Sequence, residues 1–545
     1  MNKKIFSTIA ITSTLISCSS NKSNKKEIGF QPNIIWITCE DISPYLGCYG
    51  DEDAISPNID NLADEGIRYT NAFSVAGVSA PSRNALITGM YPTSIGGHNM
   101  RTIWSTTRED LPEEYSIVTP QEVKCFTEYL RMAGYYCTNN SKTDYQFYAP
   151  LTAWDESSDA AHWKNRKPGQ PFFAVFNDIS THESRQWLRN GELFMVDPDS
   201  VDVPPYLPDT EKVRKAIARN YTNIAEMDMH VGLILKELEK SNLLDSSIIF
   251  FYSDHGGPLP RGKRELYETG IKIPLIIRFP NKMYAGKVND NLVSFVDFAP
   301  TVLSLAEIKI PDYMQGQAFL GKYKSQTDRK YIYAARDRMD SEYDRVRAVR
   351  DKQFKYFKNY FPELPYVQNI EYRKNIPMML ELYELNKNGL LTGDAALWWR
   401  KTKPQEELYD VINDPYELNN LADIPEFSEK LTELRNELKN WQKKFGDLGK
   451  IDEKELIKTM WNGNNSPPLT DTAKIKIIEN NLIAVNCKTK GASIGYQINN
   501  EIGSISWYIY INPISINKVD SIKIYSKRIG YKESITKTFK KGIDF

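Results

Sequence analysis

Residues 33–41 read NIIWITCED, an apolar run that ends in two acidic side chains. A continuous apolar run of this kind is typical of a strand that is buried on both faces of a parallel sheet. Residues 247–256 read SIIFFYSDHG and repeat the arrangement, with an aspartate and a histidine after the apolar run. Because ligands of open α/β sheets gather beyond the carboxyl ends of the strands, these two strand ends predict a binding site.

Four polar residues follow the two runs, namely Glu40, Asp41, Asp254 and His255. Oxygen atoms are the ligands that hard divalent cations prefer. One interpretation is therefore a metal site at the edge of the sheet. Two unrelated acidic turns are the alternative that the spacing alone leaves open.

Other segments alternate in the same way between short apolar runs and helices. Residues 135–138, 171–176 and 274–279 predict strands, and apolar residues at helical spacing predict a long helix from Val213 to Leu238. This alternation predicts an α/β fold with a mainly parallel sheet sandwiched by helices.

The pattern changes along the chain and divides it into segments. We expect a catalytic α/β domain at residues 31–325 and a smaller α+β subdomain at residues 326–460. Residues 330–360 within that subdomain predict an antiparallel hairpin. A loose stretch at 462–471 is typical of a linker, and residues 470–545 predict a small β module.

The N-terminus has the features of an export signal. Residues 1–18 read MNKKIFSTIAITSTLISC, with two lysines before an apolar stretch that is too short to span a bilayer. The ending at Cys18 resembles a bacterial lipobox, which predicts acylation of that cysteine and a lipid anchor. Residues 19–30 then form a polar tether. We expect an exported lipoprotein of the outer membrane, facing the periplasm or the cell surface. A plain signal peptide is the alternative.

Composition excludes some classes of protein. A formal net charge of −1 argues against a nucleic-acid binder. Five cysteines follow Cys18 without paired CxxC spacing, so the sequence predicts neither a disulfide framework nor a zinc site. Buried thiols are the expectation, with Cys39–Cys48 and Cys125–Cys137 left open as pairs.

Residues 79–89 read SAPSRNALITG, a run too specific for a generic turn. It resembles the signature of the type I, formylglycine-dependent sulfatases, a branch of the alkaline-phosphatase-like superfamily. The resemblance runs from PNIIWITCEDISPYLGCYGD at 32–51 to EELYDVINDPYELNNLAD at 406–423. The layout is most similar to the N-sulfoglucosamine sulfohydrolase-like group, and residues 486–534 resemble the small β module that often ends bacterial members.

The resemblance implies a nucleophile made from Ser79. In the family this position is oxidised to formylglycine (3-oxoalanine), whose aldehyde hydrates to a geminal diol. One oxygen attacks sulfur and the other later expels sulfate, an exit that a plain serine lacks. Pro81 and Arg83 belong to the signature that a serine-type maturase reads, and Arg83 would also hold the hydrate.

The same resemblance implies a cation and three further catalytic side chains. Glu40, Asp41, Asp254 and His255 match the metal ligands, completed by Ser79, with Ca²⁺ as the expected ion and Mg²⁺ or Mn²⁺ as alternatives. The cation would lower the diol pKa and neutralise sulfate oxygens. Lys142 and Lys263 match the two lysines that bind the sulfate. His182 matches the histidine that protonates or orients the leaving group.

This sequence departs from the family pattern at three positions. Glu40 stands where Asp is usual, His255 stands where Asn is also common, and Asp144 replaces a second histidine, which leaves His182 alone in the acid/base role. The expected substrate-binding residues are His98, Arg101, Asp144, Arg338 and Asp340, with Tyr343 as a further candidate.

The expected function is a sulfatase that removes sulfate esters or N-sulfate from a sulfated polysaccharide or oligosaccharide. Its substrate is either an algal glycan such as ulvan or carrageenan, or a heparin-like glycan. A phosphodiesterase or phosphonate hydrolase of the same superfamily is one alternative. A non-catalytic lipoprotein that binds sulfated glycans is the other, if Ser79 is not oxidised.

Overall fold

A nine-stranded sheet dominates the first half of the chain in the computed structural model, which describes residues 31–104 and 109–545. Its strands are β1 (Asn33–Cys39), β2 (Ile67–Phe73), β3 (Tyr136–Asn140), β4 (Glu156–Ser157), β5 (Phe172–Asp178), β6 (Ser247–Ser253), β7 (Lys272–Arg278), β8 (Lys287–Asn289) and β9 (Val293–Ser294). Their spatial order is β4-β3-β5-β1-β6-β7-β2-β8, with β9 paired to β2. The predicted signal peptide, Cys18 and the tether lie outside the described residues.

Strand β1 lies in the middle of this sheet and runs parallel to β5 and β6. Its last residue, Cys39, is level with Asp178 on one side and Ser253 on the other. The side chains that follow β1, β5 and β6 therefore leave the sheet at the same edge. The predicted α/β class with a mainly parallel sheet is confirmed.

Two features of the sheet differ from the prediction. Strand β7 is antiparallel to both β6 and β2, because an apolar run indicates burial and not direction. Strand β2 was not predicted, since its sequence IRYTNAF mixes apolar and polar residues and is only partly buried.

Helices cover both faces of the sheet. They are α1 (Pro57–Asp64), α2 (Ser79–Thr88), α3 (Pro92–Ile95), α4 (Phe126–Met132), α5 (Arg185–Leu188), α6 (Glu211–Lys240), α7 (Glu268–Ile271), α8 (Phe298–Leu305), α9 (Pro377–Lys387), α10 (Ser428–Phe445) and α11 (Glu453–Met460). Ile34 and Trp36 of β1 pack in one core with α2, α4 and α8. Ile35 and Ile37 pack in the other with α1, α6 and α9. Within the described ranges, none of these helices has the length and apolar character to cross a membrane.

Three smaller antiparallel sheets follow. The first contains β10 (Ile332–Arg336), β11 (Val346–Arg350), β12 (Phe354–Asn359) and β13 (Glu406–Asp410). The last two share one apolar core and contain β14 (Lys474–Ile478), β15 (Leu482–Asn486), β16 (Ser493–Ile498), β17 (Tyr508–Ile509), β18 (Ile514–Ser515), β19 (Ser521–Lys527) and β20 (Lys537–Lys540). The domain borders stay predictions, because Pro32–Phe545 forms one compact unit.

The five cysteines of the described ranges are free thiols. Cys39, Cys125 and Cys137 are buried, and burial raises the pKa of each thiol well above its ordinary value. The two pairings that the sequence left open are not formed.

Candidate active site

Ser79 is the first residue of α2 and faces the carboxyl edge of the sheet. Its side chain is buried, and its Oγ lies 3.3 Å from His255 Nε2. Just before the helix the chain runs against the loop after β6, where Arg264 N donates to Gly77 O at 2.7 Å. A Cβ at Gly77 would lie 2.3 Å from Glu265 O, so only glycine fits there. The start of α2 directs the positive end of the helix dipole toward Ser79.

Asp41, Asp254 and His255 form a fully buried group beside Ser79. His255 Nε2 lies 2.9 Å from Asp41 Oδ1 and 3.7 Å from Asp254 Oδ1. The structure therefore brings together the two strand ends that the sequence singled out.

Asp41 is held in a backbone conformation that is rare for non-glycine residues, with φ at +52°. Residues in this region persist where their surroundings fix them, often at functional sites. Here Ile42 N donates to Ser253 Oγ at 3.0 Å and Glu183 N donates to Asp41 Oδ2 at 2.7 Å. The first bond fixes the backbone next to Asp41, and the second fixes the direction of its carboxylate.

Glu40 has a different set of partners. Its carboxylate lies 2.7 Å from Lys142 Nζ, 3.7 Å from Arg83 Nη2 and 3.8 Å from His182 Nε2. Glu40, Asp41 and His182 form a second group of potential ligands that shares Asp41 with the first.

The donor set fits a hard divalent cation. Asp41 Oδ1 is buried without a well-aligned hydrogen bond, and His255 Nε2, 2.9 Å away, is itself a potential ligand. Burial alone raises the pKa of both aspartates, but Lys263 and His255 hold the pKa of Asp41 well below its usual range. His255 and Arg83 lower the pKa of Asp254 to about 2. Both carboxyls are thus ionised at neutral pH, as a metal ligand must be.

Three cations surround the acidic group. Arg83 Nε donates to Asp254 at 3.1 Å and Arg83 Nη1 donates to Asn177 Oδ1 at 2.7 Å. Lys263 Nζ donates to Asp41 Oδ2 at 2.5 Å, whereas Lys142 pairs with Glu40. Burial lowers the pKa of the Lys263 ammonium, but Asp41 and Glu183 raise it above its ordinary value, so Lys263 is charged.

His182 lies in the turn after β5. Its Nδ1 is 2.9 Å from Ser184 Oγ, which orients the ring and leaves Nε2 facing the site. Burial and the neighbouring Lys263 lower the pKa of His182 below its ordinary value.

Two charged residues that support the site, Glu183 and Arg264, were not among the predicted site residues. Glu183 accepts both guanidinium bonds of Arg264, at 2.8 and 2.7 Å, and its Oε1 lies 3.4 Å from Lys263 Nζ. Both side chains are buried. Asn177 was also missed, although the strand-end rule applied to β5 finds it.

Two of the expected substrate-binding residues are buried in the structure. Arg338 is fully buried, pairs with Glu453 at 2.6 Å and donates to Met100 O and Arg101 O, so its guanidinium braces a loop. His98 is buried beside Trp441 and does not lie at a rim.

The remaining candidates have different surroundings. Arg101, Asp144 and Asp340 are half-buried, and Asp144 Oδ2 lies 3.5 Å from Lys142 Nζ. Burial raises the pKa of Asp144, but Lys142 and Arg101 lower it below its ordinary value. The Tyr343 hydroxyl donates to Gly449 O at 3.1 Å.

Two family models match the chain. One described as Sulfatase covers residues 32–308, and one described as N-sulphoglucosamine sulphohydrolase, C-terminal, covers residues 261–388. An ulvan-active sulfatase of Formosa agariphila is 46% identical, over 95% of this chain and 93% of its own length. The human N-sulphoglucosamine sulphohydrolase is 25% identical, over 75% of this chain and 89% of its own.

Solved structures share the fold. A protein in complex with its substrate D-glucosamine-2-N,6-O-disulfate superposes with a TM-score of 0.56 at 20% identity, covering 78% of this chain and 99% of its own. A phosphonate monoester hydrolase of Silicibacter pomeroyi has a TM-score of 0.56 at 15% identity, covering 84% of this chain and 100% of its own. At such identities the similarity concerns the fold alone.

Proposed function

The chain belongs to the sulfatase family, and from that premise we propose that it releases sulfate from a polysaccharide of the ulvan class. The 46% identity to an ulvan-active sulfatase supports this substrate over a heparin-like one, whose human relative is 25% identical. The observation that carries the chemistry is the position of Ser79 Oγ inside a buried group of carboxylates, lysines and arginine.

Asp41, Asp254, His255 and Glu40 would hold a divalent cation next to Ser79 Oγ. A bound cation supplies positive charge that activates a hydroxyl and neutralises sulfate oxygens. Ca²⁺ suits the oxygen-rich ligand set, and Mg²⁺ and Mn²⁺ are the ions to compare with it.

Ser79 is the site of conversion to formylglycine in this proposal, by a serine-type maturase. The SAPSR run supports it, because the modified residue supplies a second hydroxyl where serine has one. Arg83, one turn further along α2, orients that group through its own bonds to Asp254 and Asn177.

The charges of the site suit an anionic group. Three carboxylates, of Glu40, Asp41 and Asp254, are balanced by Arg83, Lys142 and Lys263. A divalent cation would leave this group net positive, which favours a sulfate ester. Lys142, paired with Glu40, and Lys263, paired with Asp41, would both contact the sulfate.

His182 Nε2 is the proton carrier for the departing sugar oxygen. It faces the site near Glu40, and Ser184 fixes the ring from the other side. A positioned histidine of this kind serves general acid–base catalysis.

The enzyme is exported and anchored through acylated Cys18 in the outer membrane, facing the periplasm or the surface. Residues 1–18 support this location. Cells that express the protein are grown with a radioactive fatty acid. We expect label on the wild-type chain and none on Cys18→Ala.

The decisive experiment combines two measurements on protein matured in a host with a serine-type maturase. Mass spectrometry of the Ser79 peptide should show the loss of two hydrogens. Sulfate release is then measured on ulvan, heparin and carrageenan oligosaccharides, with Ser79→Ala as the control. Modified Ser79 with faster turnover of aryl phosphonates than of any sulfate ester would contradict the proposal.

A further inference from the structure

Two aromatic side chains stand in solvent on segments that also carry residues of the candidate active site. Trp104 is 63% exposed and Tyr148 is 41% exposed. Their ring centroids lie 6.1 Å apart in an edge-to-face arrangement. Single exposed apolar residues are ordinary on protein surfaces, so the informative feature is the fixed pair.

Glu114 holds both members of the pair. Its Oε2 accepts a hydrogen bond from the Tyr148 hydroxyl at 2.8 Å and from Trp104 N at 3.3 Å. Tyr148 N donates to Ser116 Oγ at 3.4 Å. These bonds fix the Tyr148 ring and the backbone at Trp104, and the indole of Trp104 packs against the Tyr148 ring. An arrangement that is held before any ligand arrives lowers the entropy that binding must offset.

The segments that carry the pair also carry residues of the site. Thr102 N donates to Gln146 Oε1 at 3.0 Å, and Gln146 is fully buried, so the two segments are joined. One segment starts at Arg101 and the other at Lys142. Six residues separate Lys142 from Tyr148, a distance of at most about 20 Å in extended chain.

We propose that Trp104, with Tyr148 packed edge-to-face against it, forms a stacking platform for a sugar ring of the substrate chain, outside the pocket that holds the sulfate. A pyranose ring presents C–H groups on its faces, and these pack on the negative face of an aromatic ring. The platform would make the enzyme select a sugar chain over a small sulfate ester. This inference rests on the proposed function, since it assumes a glycan substrate.

The test compares two substrates in the matured enzyme, a sulfated ulvan oligosaccharide and 4-nitrophenyl sulfate. In Trp104→Ala and Tyr148→Ala, the ratio of kcat/KM for the oligosaccharide to that for the aryl sulfate should fall roughly tenfold, mainly through KM. Trp104→Phe should restore most of the ratio. Tyr323→Ala is the matched control, because Tyr323 is 39% exposed and lies outside the site.

Salt separates stacking from charge. The contribution of the platform should be the same at low and high ionic strength, whereas contacts of lysine with sulfate weaken with salt. Equal losses on both substrates would show a structural role for the pair and overturn the platform, as would an unchanged ratio. Failure of the unaltered enzyme on every sulfate ester would instead contradict the proposed function. In that case calorimetry compares binding of the oligosaccharide to Ser79→Ala and to the double variant Ser79→Ala/Trp104→Ala. Weaker binding by the double variant is expected, and equal binding would overturn the platform.

Discussion

Glu183→Gln is the substitution that most directly tests how the site is supported. The Glu183 carboxylate is buried, accepts two hydrogen bonds from Arg264 and lies 3.4 Å from Lys263 Nζ. The substitution keeps the shape of the side chain and removes its charge. Arg264, which is 4% exposed, would then be left without its counter-ion.

The size of the effect follows from that burial. Removing one partner of a buried ion pair destabilises a protein by about 3–5 kcal/mol. Burial alone raises the pKa of Glu183, yet Arg264 and Lys263 lower it from 4.5 to about 2. This difference corresponds to about 3 kcal/mol at roughly 1.4 kcal/mol per pKa unit. We expect the free energy of unfolding to fall by about 3 kcal/mol, and turnover to fall because Lys263 loses one of its two anchors.

The assay is urea unfolding followed by fluorescence, with turnover of an aryl sulfate measured on the same samples. Glu192→Gln is the matched control, since Glu192 is 53% exposed and pairs with Arg189 at 3.0 Å on the surface. Such a pair contributes about 0–1 kcal/mol. The double variant with Arg264→Gln should recover part of the loss, because it no longer buries an unpaired charge.

A Glu183→Gln protein with wild-type unfolding and wild-type turnover would contradict a supporting role for the Glu183 charge. An equal loss in Glu192→Gln would also refute it, because burial would then not decide the energy.

Three further outcomes are expected. Lys263→Ala should lower kcat/KM for an aryl sulfate by roughly 100-fold or more. Lys215→Ala is the control, and because Lys215 is exposed it should change KM little. Removal of divalent cations with a chelator should lower the unfolding temperature, and added Ca²⁺ should restore it in calorimetry, because the buried carboxylates of the site lose their counter-charge. Although burial raises the pKa of Asp447, Arg347 lowers it from 3.8 to about 2. Its stabilisation is therefore complete above pH 3.8 and is lost as the pH falls through 2. In acid unfolding, the free energy of unfolding of the wild type should fall by about 2 kcal/mol over this interval because of Asp447. Asp447→Asn should lack this part of the decrease.

The core of the site was predictable because parallel strands end at one edge. The runs ending at Cys39 and Ser253 were recognised from their apolar residues, and the structure sets their ends side by side. Asp41 and His255 meet as a direct consequence. Spacing alone, however, could not distinguish a shared site from two separate turns.

Other parts of the site depend on pairs that are distant in sequence. Arg264 and Glu183 are 81 positions apart, and each occurs in a run that reads as ordinary surface charge. Arg338 was expected to contact the substrate, but Glu453, 115 positions later, binds its guanidinium. No local pattern identifies such a partner.

Strand direction and weak strands were the limits for the fold. The run at β7 was recognised as a strand, yet its apolar pattern carries no information about its antiparallel pairing with β6. Strand β2 contains Arg68, Thr70 and Asn71, which conceal its period in the sequence.

The complete burial of α2 constrains the order of events in the life of the chain. All ten residues from Ser79 to Thr88 are buried, so an enzyme that must grip Ser79, Pro81 and Arg83 together has no access to them after folding. The proposed conversion of Ser79 would therefore have to happen on the nascent or unfolded polypeptide. A molecule that folds before it is modified would keep an unmodified Ser79. The active fraction of a preparation would then depend on the relative rates of modification and folding in the producing cell. No later treatment of the folded protein would change that fraction.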